Sequence, residues 1–317
     1  MASVLPLEPP QRLSRALAAQ QGAPAAAAAQ NWLRELPALL ERWLREWELE
    51  AERVVTPGGR SSVVVLVRQA DGTPAALKLP APDGAPAQVR TAREYAALTA
   101  WHGLGAVRVL RAAPEEGVLL LERLRCEVSL RSLAEAKATL EAVSVVRRLW
   151  VPPAAGHGLE TVAEHTALEA AQMRSWVPPD AEPLVTAALE ARAAMLAEPA
   201  EGEQVLLHGD FRQGAVLASS GSGERAHWLT VGPDPLVGEP AYDLARLVRD
   251  RLHDLMASSG APAATRRRVN KLADALDVPR ERVRHWTLYR AVESACRQYA
   301  GGGAADAEML LEFAAWL

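Results

Sequence analysis

The sequence predicts an α+β fold in two lobes, a small antiparallel sheet lobe followed by a larger, mainly helical one. Three observations carry the prediction. Apolar, β-branched runs separated by turn residues crowd into the stretch before about residue 125. From Ser129 onward, apolar residues recur at helical spacing through segment after segment. The single β interruption among those helices carries a group of polar residues around Asp210.

Composition narrows the partners. At 317 residues the chain is long enough for two cores. Apolar residues make up 49% and charged residues 23%, the balance of a folded soluble protein. A net charge of −4 provides no basic field, so neither nucleic acid nor a membrane is expected as a partner. Cys126 and Cys296 lie far apart without ligand residues beside them, which fits a reducing compartment and suggests neither a disulfide framework nor a zinc site. Met1 to Gln20 lacks the apolar centre of a secretory signal, and no apolar run approaches the roughly eighteen residues that span a bilayer. The expected location is cytoplasmic.

The elements follow in order. Residues 1–30 read as a poorly defined segment, 31–125 as the sheet lobe and 126–317 as the helical lobe. Leu33, Leu36, Leu40, Trp43 and Trp47 predict a helix from Asn31, its N-cap, to about Glu50. Thr56 to Ser62 is a turn cluster, Val63 to Val67 a strand, Asp71-Gly72 a hairpin turn and Pro74 to Leu79 the returning strand. A helix over Gln88 to His102 precedes strands near Val107 to Ala112 and Gly117 to Glu122. Helices are then expected over Arg131–Trp150, Glu160–Ser175, Ala181–Leu196, Asp243–Met256, Ala264–Leu276 and Arg280–Tyr299, with a strand over Ala226–Val231.

Four local features occur in the order a kinase needs them. Gly58-Gly59-Arg60-Ser61 lies between two strands, where small residues and free amides suit phosphates, although most Gly-Gly pairs are simply turns. Lys78 stands in an apolar strand and Glu94 on the next helix, as kinases pair a phosphate-binding lysine with a glutamate. Leu119 to Leu124, with Glu122, is an apolar strand entering the lobe junction, where backbone groups suit an adenine edge. Asp210, delivered by Leu206-Leu207-His208-Gly209, holds the place of the Asp that takes the substrate hydroxyl's proton. Singly, each residue reads as a turn residue, a surface charge or a core strand; the order raises them together. Five positions past Asp210, where a kinase keeps a metal-binding Asn, stands Ala215, and the next strand ends in Gly232 where a second metal ligand is expected.

With these features in register, the chain resembles the aminoglycoside phosphotransferase family, and within it the streptomycin 6-kinase-like branch. The resemblance also rests on Trp228 to Leu244, with its Val237-Gly238-Glu239-Pro240-Ala241-Tyr242-Asp243 run, and on Arg282-Val283-Arg284-His285-Trp286 with Arg290 to Ala295. It covers about Leu33 to Tyr299 and implies a two-lobed kinase-like fold, ATP as donor and a small hydroxyl compound as acceptor. Members of that family carry Asn at the position of Ala215, Asp at that of Gly232 and usually His at that of Arg212. Asp243 is retained, and the resemblance implies that it holds the catalytic segment together.

Asp210 is accordingly assigned as catalytic, and Gly58, Gly59, Arg60, Ser61, Lys78, Glu94, Glu122 and Arg212 as cofactor-binding; Arg212 reads either as an exposed surface residue or as a fixed positive charge in the metal's place. No residue is assigned to a metal. ATP or another nucleotide is the cofactor implied, without Mg²⁺ on the usual ligands. The leading expectation is a pseudokinase that binds a nucleotide, a small hydroxylated molecule or a partner protein. Two alternatives stay open: an active small-molecule phosphotransferase with atypical metal contacts, Asp234 being the nearest carboxylate, and an enzyme that uses Asp210 for other acid–base chemistry.

Overall fold

The structure, a computed structural model, describes residues 7–20, 22–82, 85–176, 178–198, 204–220 and 226–317. It divides into two compact units, Met1–Glu127 with Ala218–His227, and Val128–Leu217 with Trp228–Leu317. The inclusion of Ala218–His227 in the first unit has no counterpart in the sequence reading of 126–317 as one lobe.

The first unit is built on a five-stranded sheet of β1 (Glu50–Val54), β2 (Ser62–Arg68), β3 (Pro74–Pro80), β4 (Val109–Ala113) and β5 (Val118–Glu122), in the order β1-β2-β3-β5-β4. Its neighbouring strands are antiparallel. Successive side chains of a strand point to opposite faces, and that alternation sorts the sheet. Val63, Val65 and Val67 of β2, Ala75, Leu77 and Leu79 of β3, and Val118 and Leu120 of β5 share one core cluster. That cluster is covered by α1 (Gln11–Ala18) and α2 (Ala23–Glu46) through Leu13, Leu17, Trp32, Leu36, Leu40 and Trp43. Lys78, out of phase with Leu77 and Leu79, is left for the opposite face, where α3 (Ala87–Trp101) packs against β3, β4 and β5.

Two expectations fail here for one reason. Residues 1–30 are not without structure: α1 and the start of α2 fall in them, while residues 1–6 lie outside the described residues. Asn31 is therefore an interior residue of α2 rather than its N-cap. Alanine is the strongest helix former, and the Ala25 to Ala29 run extends the amphipathic helix backward to Ala23. The tryptophans of α2 pack on their own unit.

The chain enters the second unit through β6 (Arg125–Ser129). There α4 (Glu135–Leu149), α5 (Val162–Met173) and α6 (Glu182–Ala197) precede β7 (Val205–Leu207), β8 (Val216–Ala218), β9 (Trp228–Thr230) and β10 (Leu236–Gly238). The helices α7 (Pro240–Val248), α8 (Leu252–Met256), α9 (Ala261–Leu276), α10 (Arg280–Ala300) and α11 (Ala304–Ala314) follow. The helix expected over Asp243–Met256 is two helices, broken at Arg251, which has φ 54°. At the centre runs α10, which packs against α5, α6, α7, α9 and α11. Its Trp286 meets Tyr242 and Tyr289 edge to face at 5.2 and 5.8 Å between centroids. Antiparallel pairing of β7 with β10, Leu207 opposite Leu236, delivers the polar loop that begins at His208.

Candidate functional site

In the first unit the opposite face of β3 has one charged side chain to satisfy. Lys78 Nζ lies 2.6 Å from both carboxylate oxygens of Glu94, and the two side chains are 9% and 4% exposed. A buried pair of this kind holds its ammonium at a fixed point in the fold, as a phosphate-binding lysine requires. Glu94 itself is set on the inner side of α3, with Thr91, Leu98 and Trp101 buried on the same helix. These residues fit a nucleotide's phosphates.

The other candidates of this unit have partners elsewhere. Gly58 (φ 69°) joins β1 to β2 in a left-handed conformation, and a Cβ there would press on Pro10 and on the Val55 carbonyl at 2.9 Å. Its glycine is accounted for by chain packing. A Cβ at Gly59 would meet Ser61 and Ser62 only at ordinary contact distance, Arg60 is exposed, and Ser61 accepts the Ala81 N–H through its carbonyl at 2.9 Å. Glu122 takes the Arg108 N–H on its carboxylate at 2.8 Å and so fastens the start of β4 to the end of β5.

In the second unit, the loop after β7 is held by backbone contacts. The fully buried Asp243 on α7 accepts the N–H groups of His208 and Gly209, each at 2.8 Å. Burial pushes the Asp243 carboxyl above its ordinary range, and these bonds oppose the rise. Gly209 (φ 76°) is required for close approach, since a Cβ would overlap the carbonyl of Asp234. Asp234 in turn donates its N–H to the His208 carbonyl at 2.9 Å. His208 Nδ1 accepts the Asp210 N–H at 3.3 Å, and Arg290 on α10 donates to the Gly209 carbonyl at 2.7 Å. Beyond Asp210, the Gln213 N–H meets Asp250 at 2.5 Å and its side-chain oxygen accepts from Arg251 at 2.8 Å.

Asp210 is thereby presented between two guanidiniums. Its Oδ1 lies 2.7 Å from Arg246 of α7 and its Oδ2 3.2 Å from Arg212. Burial pushes the carboxyl upward, but Arg246 and Arg212 outweigh it and bring the group down to about 2. Asp243 and Arg246 stand three residues apart on α7, on one helix face. One holds the loop's amides and the other its carboxylate.

The metal positions differ from the loop around them. Ala215 is buried, and its carbonyl accepts from Val231 N at 2.8 Å and from Thr230 Oγ1 at 3.2 Å. Gly232 has φ 63° and follows the end of β9. A methyl group and a glycine provide no side-chain oxygen, so Mg²⁺ does not fit the two usual positions. Asp234, the carboxylate considered for a relocated metal, lies two residues past Gly232. The strand ends at Thr230, and Asp234 contacts the His208–Gly209 turn through its backbone while the residue itself is exposed.

The sequence reading also missed two features. Arg246 lies 36 positions past Asp210 in an ordinary helical stretch, and its only signal is the spacing from Asp243. A recess of about 650 Å³ carries Glu160, Glu164, His165 and Glu169 on its wall. Burial and the nearby Glu293 raise Glu169 to about 8, and the Tyr289 hydroxyl lies 3.4 Å from its carboxylate. Among the described residues, no helix is long and apolar enough to cross a membrane.

Comparison with known proteins places these residues in context. The profile of the family described as aminoglycoside/hydroxyurea antibiotic resistance kinase matches residues 46–302. Streptomycin 6-kinase of Streptomyces glaucescens is 32% identical over 277 residues, covering 87% of each chain. Hydroxyurea phosphotransferase of Kitasatospora aureofaciens is 35% identical over 277 residues, 84% of this chain and 74% of the relative. Among solved structures, choline kinase LicA from Streptococcus pneumoniae aligns with a TM-score of 0.60 at 11% identity, over 89% of this chain and 99% of that one. The fold is that of the kinase-like phosphotransferases.

Proposed function

The chain belongs to the aminoglycoside phosphotransferase family, in its aminoglycoside/hydroxyurea resistance-kinase branch, and from that premise we propose that it is a pseudokinase, a nucleotide- and small-molecule-binding member with little phosphoryl-transfer activity. One observation carries this reading: Asp210 is spanned by Arg246 and Arg212 while positions 215 and 232 offer no metal ligand. Phosphoryl transfer depends on positioning and on neutralising charge, and the metals supply much of both. Removing one preorganised electrostatic partner costs roughly 3–4 kcal/mol of transition-state stabilisation, or roughly 10²–10³ in rate. Two losses leave little turnover. The buried Lys78–Glu94 pair supports retained nucleotide binding. The recess with Glu160, Glu164 and His165, and with Glu169 as a neutral hydrogen-bonding group, suits a cationic, hydroxylated molecule, the kind of compound named for the streptomycin relatives.

The test is ATP turnover with Mg²⁺ and either streptomycin or hydroxyurea as acceptor. The wild type is expected to stay at or below about 10⁻³ of the rate of an active streptomycin 6-kinase. The double change Ala215→Asn and Gly232→Asp is expected to raise that rate, since Asp tolerates the left-handed backbone of position 232 better than most residues. Wild-type phosphorylation of either acceptor at an ordinary kinase rate, abolished by Asp210→Asn, would replace this reading with that of an active transferase.

A further inference from the structure

We propose that Arg212 and Arg246 form a metal-independent binding site for a phosphate group, in which the Asp210 carboxylate is the internal anion. The proposal deepens the reading of the chain as a binding protein by naming the ligand chemistry of its catalytic loop.

The geometry is that of two forks sharing one anion. Each oxygen of Asp210 contacts a different guanidinium, and a guanidinium carries five N–H donors in a rigid planar array. Asp210 uses a small part of that capacity. The side chains of Arg212 and Arg246 are 39% and 24% exposed, so part of each is open to solvent. Planar guanidiniums match the oxygens of a phosphate in the same bidentate manner as they match a carboxylate.

Charge around the loop is in excess. Arg212, Arg246, Arg249, Arg290 and Arg297 act on one another electrostatically. The neighbouring carboxylates are Asp210, Asp243 and Glu293, with Glu169 holding its proton at neutral pH. Arg249 shows the strain of this crowding. It donates to the Arg290 carbonyl at 3.2 Å and to Ser294 Oγ at 3.0 Å, and among the described residues it forms no ion pair with a carboxylate. Burial, then Arg246 and Arg290, hold its guanidinium well below its ordinary basicity. An added anion beside Arg212 and Arg246 relieves that repulsion. The loop keeps its shape through bonds from the Asp243 and Arg290 side chains to its own backbone atoms, so the cations are preset without a metal.

The test is calorimetric titration of the full chain with inorganic phosphate and with AMP, in EDTA and again with Mg²⁺. Saturable binding in EDTA, unchanged by Mg²⁺, is expected. Arg246→Gln should weaken it about 10- to 100-fold, the usual effect of losing charge-assisted hydrogen bonds to an anion. Asp210→Asn should tighten it severalfold, because the internal competitor is gone. Equal affinities for the two probes identify the phosphate group alone as the ligand, and tighter AMP binding identifies a nucleotide. If Arg246→Gln does not fold by circular dichroism, Arg212→Gln and Asp210→Asn carry the test, with weakening and tightening expected respectively. No saturation in EDTA by either wild type or Asp210→Asn overturns the site, as does affinity indifferent to the arginine changes. This outcome is read at equilibrium without acceptor, so it stands apart from the turnover result that decides the pseudokinase reading.

Discussion

The two units hold ion pairs that are built in different ways. In the first, Lys78 and Glu94 satisfy each other in a closed core and are almost wholly removed from water. In the second, Asp210 is shared between two arginines on the rim of a loop, and all three side chains keep solvent contact. The first pair is part of how the sheet and α3 pack. The second is a local arrangement of charges on a loop whose shape is set by other groups. The bonds that hold the loop run from the side chains of Asp243 and Arg290 to its backbone, and none of them passes through the side chains of residues 215 and 232.

The sharpest way to break the comparison is to remove one partner of the closed pair. Glu94→Ala leaves the Lys78 ammonium buried without a counter-charge, and a loss of about 3–5 kcal/mol is expected in urea denaturation. The double change Lys78→Met with Glu94→Leu should recover most of that loss, because apolar residues of similar size replace a buried pair at little cost. A single change worth less than about 1 kcal/mol would mean that the pair is not closed as described.

How much of this was open to reading from the sequence follows the same division. The order of Lys78, Glu94 and Asp210 was legible because strand, helix and loop follow local pattern, and the pairing of Lys78 with Glu94 is found in the fold. The edge strand β1 was not, since Glu50-Ala51-Glu52-Arg53-Val54 is charged and half exposed, as edge strands are. Nor was the start of α2, where an alanine run carries helix propensity but little amphipathic signal. Ala215 and Gly232 were legible only as residues without a side-chain oxygen. Arg246 was not legible as the partner of Asp210, because only the tertiary fold brings α7 to the loop.

A second change asks whether the loop depends on its backbone fastening. Asp243→Asn replaces one accepting oxygen with an amide donor that faces the N–H groups of His208 and Gly209. A buried donor left without its charged acceptor costs about 1–3 kcal/mol, so a loss of about 2–4 kcal/mol is expected for this site. The same variant should weaken phosphate binding without altering the charge of Arg212 or Arg246, because the loop that aims Asp210 and Arg212 is no longer held. Unchanged stability would move the scaffold of the loop away from Asp243.

The smallest effect is expected at Asp210, and its pH dependence has a definite sign. The carboxyl sits at about 2 in the fold, below its ordinary value of about 3.9 in an unfolded chain. A group lowered in this way stabilises the fold above its unfolded value and loses that contribution as pH falls through its folded one. The difference between wild type and Asp210→Asn should therefore be constant above about pH 4 and shrink between about pH 4 and 2. Its size should be about 1 kcal/mol, since the side chain is 30% exposed and water screens the pair. Removing the carboxylate also leaves Arg246 and Arg212 facing each other without their shared anion, so added phosphate should raise the denaturation midpoint of Asp210→Asn more than that of the wild type. Urea midpoints for both proteins at pH 7, 5, 4 and 3, with and without phosphate, measure all three expectations. A loss of several kcal/mol that phosphate does not repair would make Asp210 a closed pair like Lys78 and Glu94, and the difference between the two units would disappear.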